Sequence, residues 1–427
     1  MRAFRAAILH CLADPGEDSK SDAWEYFDDG LLLVDNGMVV AAGDAASLLE
    51  PLADDVEVID YRGKLIVPGL IDCHVHYPQL DIIGSFGAQL LDWLNQYAYP
   101  VEETFADPDH AREVAGVFVD ELLRNGTTTA LVFGTVHAHS ADAIFEAAEA
   151  KGMRLIAGKV LMDKNCPETL RDDPESGYAD SKALIEKWHG KGRLGYAITP
   201  RFALTSSEEQ LAAAGRLAAE YPDVWIHTHL AENNAEVEEI ARQFPDSRSY
   251  LDVYEQFGLL RERAVFAHCL HMDDHDRSTM ASKGGAAAFC PTSNLFLGSG
   301  LFRLSAMRAA GIRCGLGTDV GGGTSLSLLR TASEAYKVLH LQEHALPATR
   351  ALYLATLGAA EALYLDDRIG NFANGKEADF VVLDFGGSSL TARRTAAAET
   401  IEEKLFALMT LADDRNIAAT YILGQKA

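Results

Sequence analysis

Apolar runs of strand length alternate with amphipathic stretches along most of the chain. Stretches such as HAREVAGVFVDELLRNG, SADAIFEAAEAKG and SEEQLAAAGRLAAEYP repeat their apolar residues at helical spacing. Between such stretches lie eight strand candidates, namely GLIDCHVH, TTTALVFGTV, MRLIAGKVLMD, RLGYAITPRFAL, DVWIHTHLAE, RAVFAHCLHM, GAAAFCPTS and IRCGLGTDVGG. Eight successive β–α units predict an α/β fold of the (β/α)8, TIM-like barrel type, in which catalytic residues lie at the carboxyl ends of the strands.

The two ends of the chain have a different pattern, of short strands and tight turns. Before the barrel lie FRAAILHCLA, GLLLVDNGMVVAAG and VEVIDYRGKLIVPG, and Asn36-Gly37 in the second of these is a hairpin signal. After it come the strand candidates GKEADFVVLDF and NIAATYILGQ. We predict that residues 1–66 and 367–427 together form one small composite β-sandwich domain and that residues 67–366 form the barrel.

Composition narrows the classes of partner. The chain has 37 basic and 63 acidic residues and a net charge of −26 at pH 7, which would repel a polyanion such as nucleic acid. No apolar run approaches the roughly 18 residues of a membrane span, and the N-terminus lacks the long apolar core of a signal peptide. The six cysteines are scattered, with no CxxC pair. We therefore expect a cytoplasmic protein with reduced thiols and without nucleic-acid or membrane partners.

Histidines and an aspartate end several of the predicted barrel strands. His74 and His76 alternate in one strand and so share a face, as do His227 and His229 in another, and Asp319 ends the last strand. An isolated strand histidine is usually a satisfied core residue, and an isolated aspartate before a helix is usually an N-cap. Their occurrence at separate strand ends of one barrel instead indicates a site for a divalent metal.

The predicted ligand set suits one metal ion per subunit. The expected ligands are three neutral imidazole nitrogens and one carboxylate, from His74, His76, His229 and Asp319. One coordination position would stay open for a water, whose pKa zinc lowers to about 7. The fourth strand ends in Thr199 and Arg201, whereas a second, bridged metal would need an acid or a modified lysine there. Zinc is the expected metal, and Fe²⁺ accepts similar ligands.

Three further roles follow from acid–base chemistry. Asp319 would take the proton of the water, and Glu232, three residues after His229, would carry a proton to the substrate. His268 ends the sixth strand and would hydrogen-bond the hydroxide or ligate the metal weakly. We therefore place His268 among the candidate ligands and also, with Glu232 and Asp319, among the candidate catalytic residues.

Longer motifs identify a family. The segments PGLIDCHVH, HLAE, AHC and GTDV resemble the amidohydrolase superfamily. The segments HVHYPQLDIIGSFGAQLLDWLNQYAYPVE, TPRFALTSS, HTHLAENNAEVE and GLGTDVGGGTSLSLL are similar, more narrowly, to those of guanine deaminases. Such matches run through most of the chain, and the expected metal and catalytic positions all carry the expected residue types.

This resemblance implies a reaction, a substrate and an assembly. The reaction would be zinc-dependent hydrolysis of guanine, with water, to xanthine and ammonia in an amidohydrolase-type barrel, and the protein would be a homodimer. Hydroxide would attack C2 of the base while Glu232 delivers a proton to N3, and the amine would leave protonated through Asp319 or Glu232. By position, the substrate contacts would be Gln79, Arg201, Phe202, His229, Glu232 and Asp319.

Several alternatives remain open at this stage. An amidohydrolase acting on another amino-heterocycle, such as 8-oxoguanine, another aminopurine, a pterin or a triazine, would have the same metal site. A catalytically silent barrel acting as an interaction protein is a more remote alternative. Arg201 could instead form a surface or interdomain salt bridge. One apolar and aromatic set could pack a helix, close over a flat base or form a subunit interface, and spacing alone favours helix packing. The set is Leu90, Leu91, Trp93, Leu94, Tyr97 and Tyr99.

Overall fold

The computed structural model describes residues 1–53, 55–87 and 89–427, which fall into two compact units. The first unit comprises Met1–Asp72, Glu121–Thr129 and Ser327–Ala427, and the second comprises Cys73–Asp120 and Ala130–Leu326. The boundaries predicted at residues 66 and 366 stay a prediction.

The regular elements follow in chain order. The strands are β1 (Arg2–Cys11), β2 (Trp24–Asp35), β3 (Met38–Asp44), β4 (Glu57–Pro68), β5 (Leu70–His76), β6 (Thr127–Phe133), β7 (Arg154–Gly158), β8 (Val160–Leu161), β9 (Leu194–Pro200), β10 (Trp225–Leu230), β11 (Ala264–His268), β12 (Ala286–Phe289), β13 (Arg313–Leu316), β14 (Phe380–Leu383), β15 (Ile417–Ile422) and β16 (Gln425–Lys426). The α-helices are α1 (Ala45–Leu49), α2 (Leu90–Trp93), α3 (Tyr99–Glu103), α4 (Pro108–Arg124), α5 (Ala138–Lys151), α6 (Pro174–Trp188), α7 (Glu208–Glu220), α8 (Asn234–Gln243), α9 (Tyr250–Gln256), α10 (Asp274–Lys283), α11 (Pro291–Phe296), α12 (Leu304–Ala309), α13 (Leu328–His340), α14 (Ala348–Ala355), α15 (Leu357–Ala362), α16 (Ser389–Ala396) and α17 (Ile401–Leu411). Single 3-10 turns lie at Tyr77–Ile82, Thr104–Ala106, Glu168–Leu170, Ala203–Thr205 and Asp414–Asn416, and a π-helical turn at Leu94–Ala98.

A seven-stranded sheet in the first unit joins strands from both ends of the chain. Its order is β16-β15-β14-β4-β1-β2-β3, with β14 antiparallel to β4 and β1 parallel to β4. The rings of Phe4, Phe380 and Tyr421 pack within 4.4–5.0 Å of one another between their centroids. Both Asn36 and Gly37 have positive φ, as the tight hairpin between β2 and β3 requires. The predicted composite, sandwich-like β domain is confirmed.

Eight parallel strands form the predicted barrel, in the order β5, β6, β7, β9, β10, β11, β12, β13. The unit boundaries fall inside β5 and β6. These strands are almost wholly buried, as parallel strands covered by helices are; all seven residues of β6, TTTALVF, are buried. The N–H of Asp319 donates to the carbonyl of His74 (2.8 Å), so the segment after β13 bonds to β5 and nearly closes the barrel.

Two further expectations can be compared with the structure. All six cysteines are free thiols, and five of them are buried. Among the described residues, no helix combines the length and the apolar character that crossing a membrane requires.

Candidate metal and substrate site

Four side chains meet at the carboxyl ends of the barrel strands. His74 and His76 lie at the end of β5, His229 lies in β10, and Asp319 follows β13. One ligand atom from each residue lies within 4.8 Å of the other three. The Nε2 atom of His76 is 3.2 Å from that of His74 and 3.2 Å from that of His229, and Asp319 Oδ1 is 3.1 Å from His74 Nε2. The structure thus brings together the four predicted ligands.

The local backbone explains how these atoms converge. His74 and His76 project to the same side of β5 because side chains alternate along a strand. Asp319 has φ of 51°, a left-handed conformation uncommon for a residue with a Cβ, and the carbonyl of His74 accepts its N–H. The Nδ1 atom of His229 is 2.7 Å from the backbone carbonyl of Arg201. Since a carbonyl only accepts, the His229 proton sits on Nδ1 and its Nε2 lone pair faces the cluster.

The donor set fits a divalent metal. Burial lowers the pKa of His76 to about 4 and also lowers the pKa values of His74 and His229, so all three rings are neutral at pH 7. Burial opposes ionisation of Asp319, but the adjacent His74 and His76 hold the pKa of this carboxyl well below its usual range. Neutral imidazoles and an ionised carboxylate are the forms in which these residues bind zinc.

Two more histidines flank the cluster. His227 Nε2 is 2.7 Å from His74 Nδ1, so His227 supports the ring of a candidate ligand; the strand pattern predicted for His227 only that it shares a face with His229. His268 Nδ1 is 2.8 Å from Asn294 Oδ1, and its Nε2 lies 3.7 Å from Asp319 Oδ2 and 3.3 Å from Glu232 Oε2. His268 therefore lies beside the four-atom cluster, and its role as a ligand stays a prediction.

The segment after β10 holds Glu232 beside the cluster. The backbone N–H of Glu232 donates to Glu236 Oε2 (2.9 Å), and Ser299 Oγ donates to Glu232 Oε1 (3.1 Å). Burial, followed by the charge of Asp319, raises the pKa of Glu232 to about 8. Glu236 also accepts from the N–H of Asn233, which is the N-cap of α8, and from the hydroxyl of Tyr250. Glu236 is not among the predicted site residues, although the Asn-x-x-Glu spacing of a capping box marks it.

A cavity of about 380 Å³, including its open mouth, adjoins the cluster. Its lining includes three members of the cluster and, beyond them, Gln79, Arg201 and Phe202, the predicted substrate contacts. Leu90, Trp93 and Leu94 also line it, so part of the apolar set for which spacing favoured helix packing faces this cavity. The cavity thus joins an apolar wall, a few fixed polar groups and the metal-type cluster, as small-molecule sites do.

A buried carboxylate, which the sequence analysis did not single out, links two of the polar groups. Glu102 Oε2 lies 2.6 Å from Arg201 Nη1, and Glu102 Oε1 accepts a hydrogen bond of 2.9 Å from Gln79 Nε2. The guanidinium also lies over the ring of Tyr99, 5.2 Å from its centroid. Arg201 therefore forms a buried salt bridge in the cavity wall, which is neither the surface nor the interdomain salt bridge kept open above. No local pattern in the sequence pairs Glu102 with residues so distant along the chain.

The fold and the site together define a class of protein. A sequence model of the amidohydrolase family matches residues 65–427, and the chain belongs to this family. It is 52% identical to the guanine deaminase of Escherichia coli (strain K12) over 405 residues, which is 95% of this chain and 92% of that protein. The structure of E. coli guanine deaminase superimposes with a TM-score of 0.97 at 49% identity, covering 100% of this chain and 99% of that one. The crystal structure of guanine deaminase from C. acetobutylicum with guanine bound in the active site superimposes with a TM-score of 0.90 at 28% identity. The match covers 100% of this chain and 99% of that one.

Proposed function

We propose that this protein is a guanine deaminase, which hydrolyses guanine to xanthine and ammonia. The observation that carries the proposal is a single cavity lined by Arg201, Gln79 and Glu232 that adjoins the cluster of metal-type ligands. Similarity to guanine deaminases over nearly the whole chain supports the same substrate.

The proposed cofactor is one zinc ion per subunit, with Fe²⁺ as the alternative. His74, His76, His229 and Asp319 would hold it, because their donor atoms converge and have the protonation states that metal ligands need. The metal would act as a Lewis acid that lowers the pKa of a coordinated water to about 7 and so supplies a nucleophile at neutral pH.

The acid–base steps are assigned to three side chains. Asp319 accepts a proton from the water as its oxygen adds to C2 of guanine. Glu232 delivers a proton to N3, so that negative charge does not build up on the ring. Glu232, now ionised, takes the proton of the new C2 hydroxyl, and Asp319 or Glu232 protonates the exocyclic amine. The bond from C2 to this amine then breaks, C2 becomes a carbonyl, and the amine leaves as ammonia. His268 lies within 3.7 Å of both carboxylates and would orient the water by hydrogen bonding.

Substrate recognition is assigned to the other side of the cavity. The guanidinium of Arg201 has only donors, and the Nε2 donor of Gln79 bonds to the same carboxylate, Glu102, as Arg201 does. Both groups suit the acceptor atoms of the oxo-purine edge, including O6. Phe202 is 3% exposed and offers a ring against which a flat base can lie. The 6-amino group of adenine would place a donor against donors, so adenine should be rejected.

The proposal is tested by measuring guanine turnover with protein whose metal content is known. Purified protein is assayed for loss of guanine and appearance of xanthine, with adenine, cytosine, 8-oxoguanine, a pterin and an amino-triazine run beside it. We expect selective guanine turnover that a chelator removes and zinc restores. Bound metal with turnover of another heterocycle alone would refute the substrate and leave the metal site standing. Absence of both metal and turnover would favour the silent barrel.

We also propose a homodimer, as the resemblance to guanine deaminases implies. Sedimentation velocity at micromolar concentration would measure this directly, and a species of twice the 46.3 kDa chain mass is expected. A single species of the chain mass would contradict it.

A further inference from the structure

We infer that Glu102 is a positioning residue that sets purine specificity by fixing the arrangement of Arg201 and Gln79. This inference rests on the proposed function, because it concerns the groups that would contact guanine. Glu102 lies on α3, Gln79 follows β5, and Arg201 follows β9. Three segments far apart in the sequence thus meet at one carboxylate in the cavity wall.

Each oxygen of the Glu102 carboxylate binds a different side chain. Oε2 holds the guanidinium of Arg201 at 2.6 Å, and Oε1 holds the amide nitrogen of Gln79 at 2.9 Å. All three residues are at most 2% exposed, so water competes little for these bonds. Hydrogen bonds to a buried charged group are short and strong, and they leave the two partners little freedom to rotate.

The amide of Gln79 has one allowed orientation. Its Oε1 accepts the backbone N–H of Gly321 at 3.1 Å, and its Nε2 donates to Glu102. A backbone N–H can only donate and a carboxylate can only accept, so turning the amide over would break both bonds. The amide therefore keeps one N–H available as a donor. An uncharged amide at position 102 would remove this constraint, because it can both donate and accept.

The negative charge of Glu102 also explains how Arg201 can be buried. An unpaired buried guanidinium is costly, and it would turn toward water or another acceptor if its partner were lost. Glu102 keeps it in the wall, over the ring of Tyr99. Together, the fixed guanidinium and the fixed amide make this wall a surface of donors. Such a surface selects a ring with an acceptor at position 6.

The experiment compares Glu102→Gln with the matched control Glu103→Gln, the next residue on α3, whose side chain is partly exposed. Four quantities are measured: KM for guanine, kcat for guanine, zinc content, and the concentration of 2-aminopurine that halves guanine turnover. The compound 2-aminopurine keeps the amine at C2 and lacks O6, so it reports binding without the contact in question.

For Glu102→Gln we expect KM for guanine to rise about 10- to 100-fold, the loss typical of a broken hydrogen bond to a charged group. Zinc content should be unchanged, kcat should fall less than KM rises, and the half-inhibiting concentration of 2-aminopurine should change less than about threefold. Glu103→Gln should match the wild type in all four quantities. Equal weakening of guanine and 2-aminopurine, or loss of zinc, would overturn the inference in favour of a merely structural role.

A second comparison covers the case in which Glu102→Gln folds poorly because it leaves a buried cation unpaired. In an Arg201→Gln background no such charge remains, and adding Glu102→Gln should raise KM less than about threefold further if Glu102 acts mainly through Arg201. Additive losses would overturn this. A wild-type protein that binds zinc but does not deaminate guanine would defeat the proposed function itself, which separates the two failures.

Discussion

Glu232 is held from two sides, so its position is set as well as its acidity. Glu236 fixes its backbone N–H, and Ser299 fixes one side-chain oxygen. Two more residues of the site are fixed in a similar way, since His229 bonds to the carbonyl of Arg201 and His268 to Asn294. A proton carrier works only within hydrogen-bond reach of the atom it serves, so these partners should control turnover.

Replacing Glu232 by Gln should remove proton transfer without removing metal. We expect kcat for guanine to fall by about 10²- to 10⁴-fold, the usual contribution of a general acid–base group, at unchanged zinc content. Glu238→Gln is the control, because Glu238 is exposed on α8. Steady-state assays with metal analysis check this. A normal rate for Glu232→Gln would end its assignment as the proton carrier.

Replacing Glu236 by Gln should displace the segment that carries Glu232. A Gln amide has one acceptor atom, so if its oxygen faces the N–H groups of Glu232 and Asn233, its nitrogen faces the Tyr250 hydroxyl, which loses its acceptor; the two N–H groups also lose a carboxylate partner. We expect kcat to fall by about tenfold or more, with KM nearly unchanged. Tyr250→Phe removes a single donor to the other oxygen of Glu236 and should cost less. Wild-type kcat in Glu236→Gln would show that the capping box does not position Glu232.

At the scale of the elements, close contacts between strands depend on residues without side chains. Gly158 ends β7, and a Cβ there would lie 1.8 Å from the carbonyl oxygen of Ala197 in β9. Gly116, in the middle of α4, has nothing within 4 Å of the position of a Cβ. The first glycine is therefore required by packing, and the second only weakens its helix.

The pair Gly158→Ala and Gly116→Ala should shift stability in opposite directions. We expect Gly158→Ala to destabilise by about 1–3 kcal/mol, as overpacking does, because the carbonyl of Ala197 must move. Gly116→Ala should stabilise by up to about 1 kcal/mol through helix propensity. Thermal and urea unfolding with circular dichroism measure both. Equal stability of the two variants would contradict the packing argument.

At the scale of the whole molecule, the chain has a net charge of −26 and also buries titratable groups, among them His10. His10, at the end of β1, is 3% exposed, and burial, followed by the charge of Lys376, lowers its pKa to about 4. Glu25 Oε2 is 3.2 Å from His10 Nε2, but the Glu25 side chain is half exposed, so water screens its attraction. His10 is thus buried in its neutral form.

This burial predicts an acid-sensitive step in stability. His10 has a lower pKa in the folded state than its ordinary 6.5, so the unfolded chain binds the proton first as pH falls. The free energy of unfolding is therefore unaffected by His10 above pH 6.5. Between pH 6.5 and about 4, protonation of His10 in the unfolded chain lowers it by about 3 kcal/mol at most. Unfolding free energies of the wild type and His10→Gln are compared across this range. The loss attributed to His10 should be absent in the variant, and parallel curves would refute it.

Much of the fold follows from the order of residues along the chain. Continuous apolar runs such as AAAF in β12, separated by amphipathic helices, indicate parallel strands covered by helices, since this arrangement buries both faces of the sheet. Strand alternation alone places His74 and His76 on one side, and Asn36-Gly37 determines its own turn. These features depend on neighbours within a few residues, and a single sequence displays them directly.

What the tertiary structure decided depends on residues brought together from far apart. The bond from Glu102 to Arg201, the contact of His227 with His74, and the left-handed backbone of Asp319 are set by the closure of the barrel. No spacing rule along the chain encodes a pair 99 residues apart. The sequence determined which side chains could bind a metal and a base, whereas only the packed barrel decided which partners fix their protons and orientations.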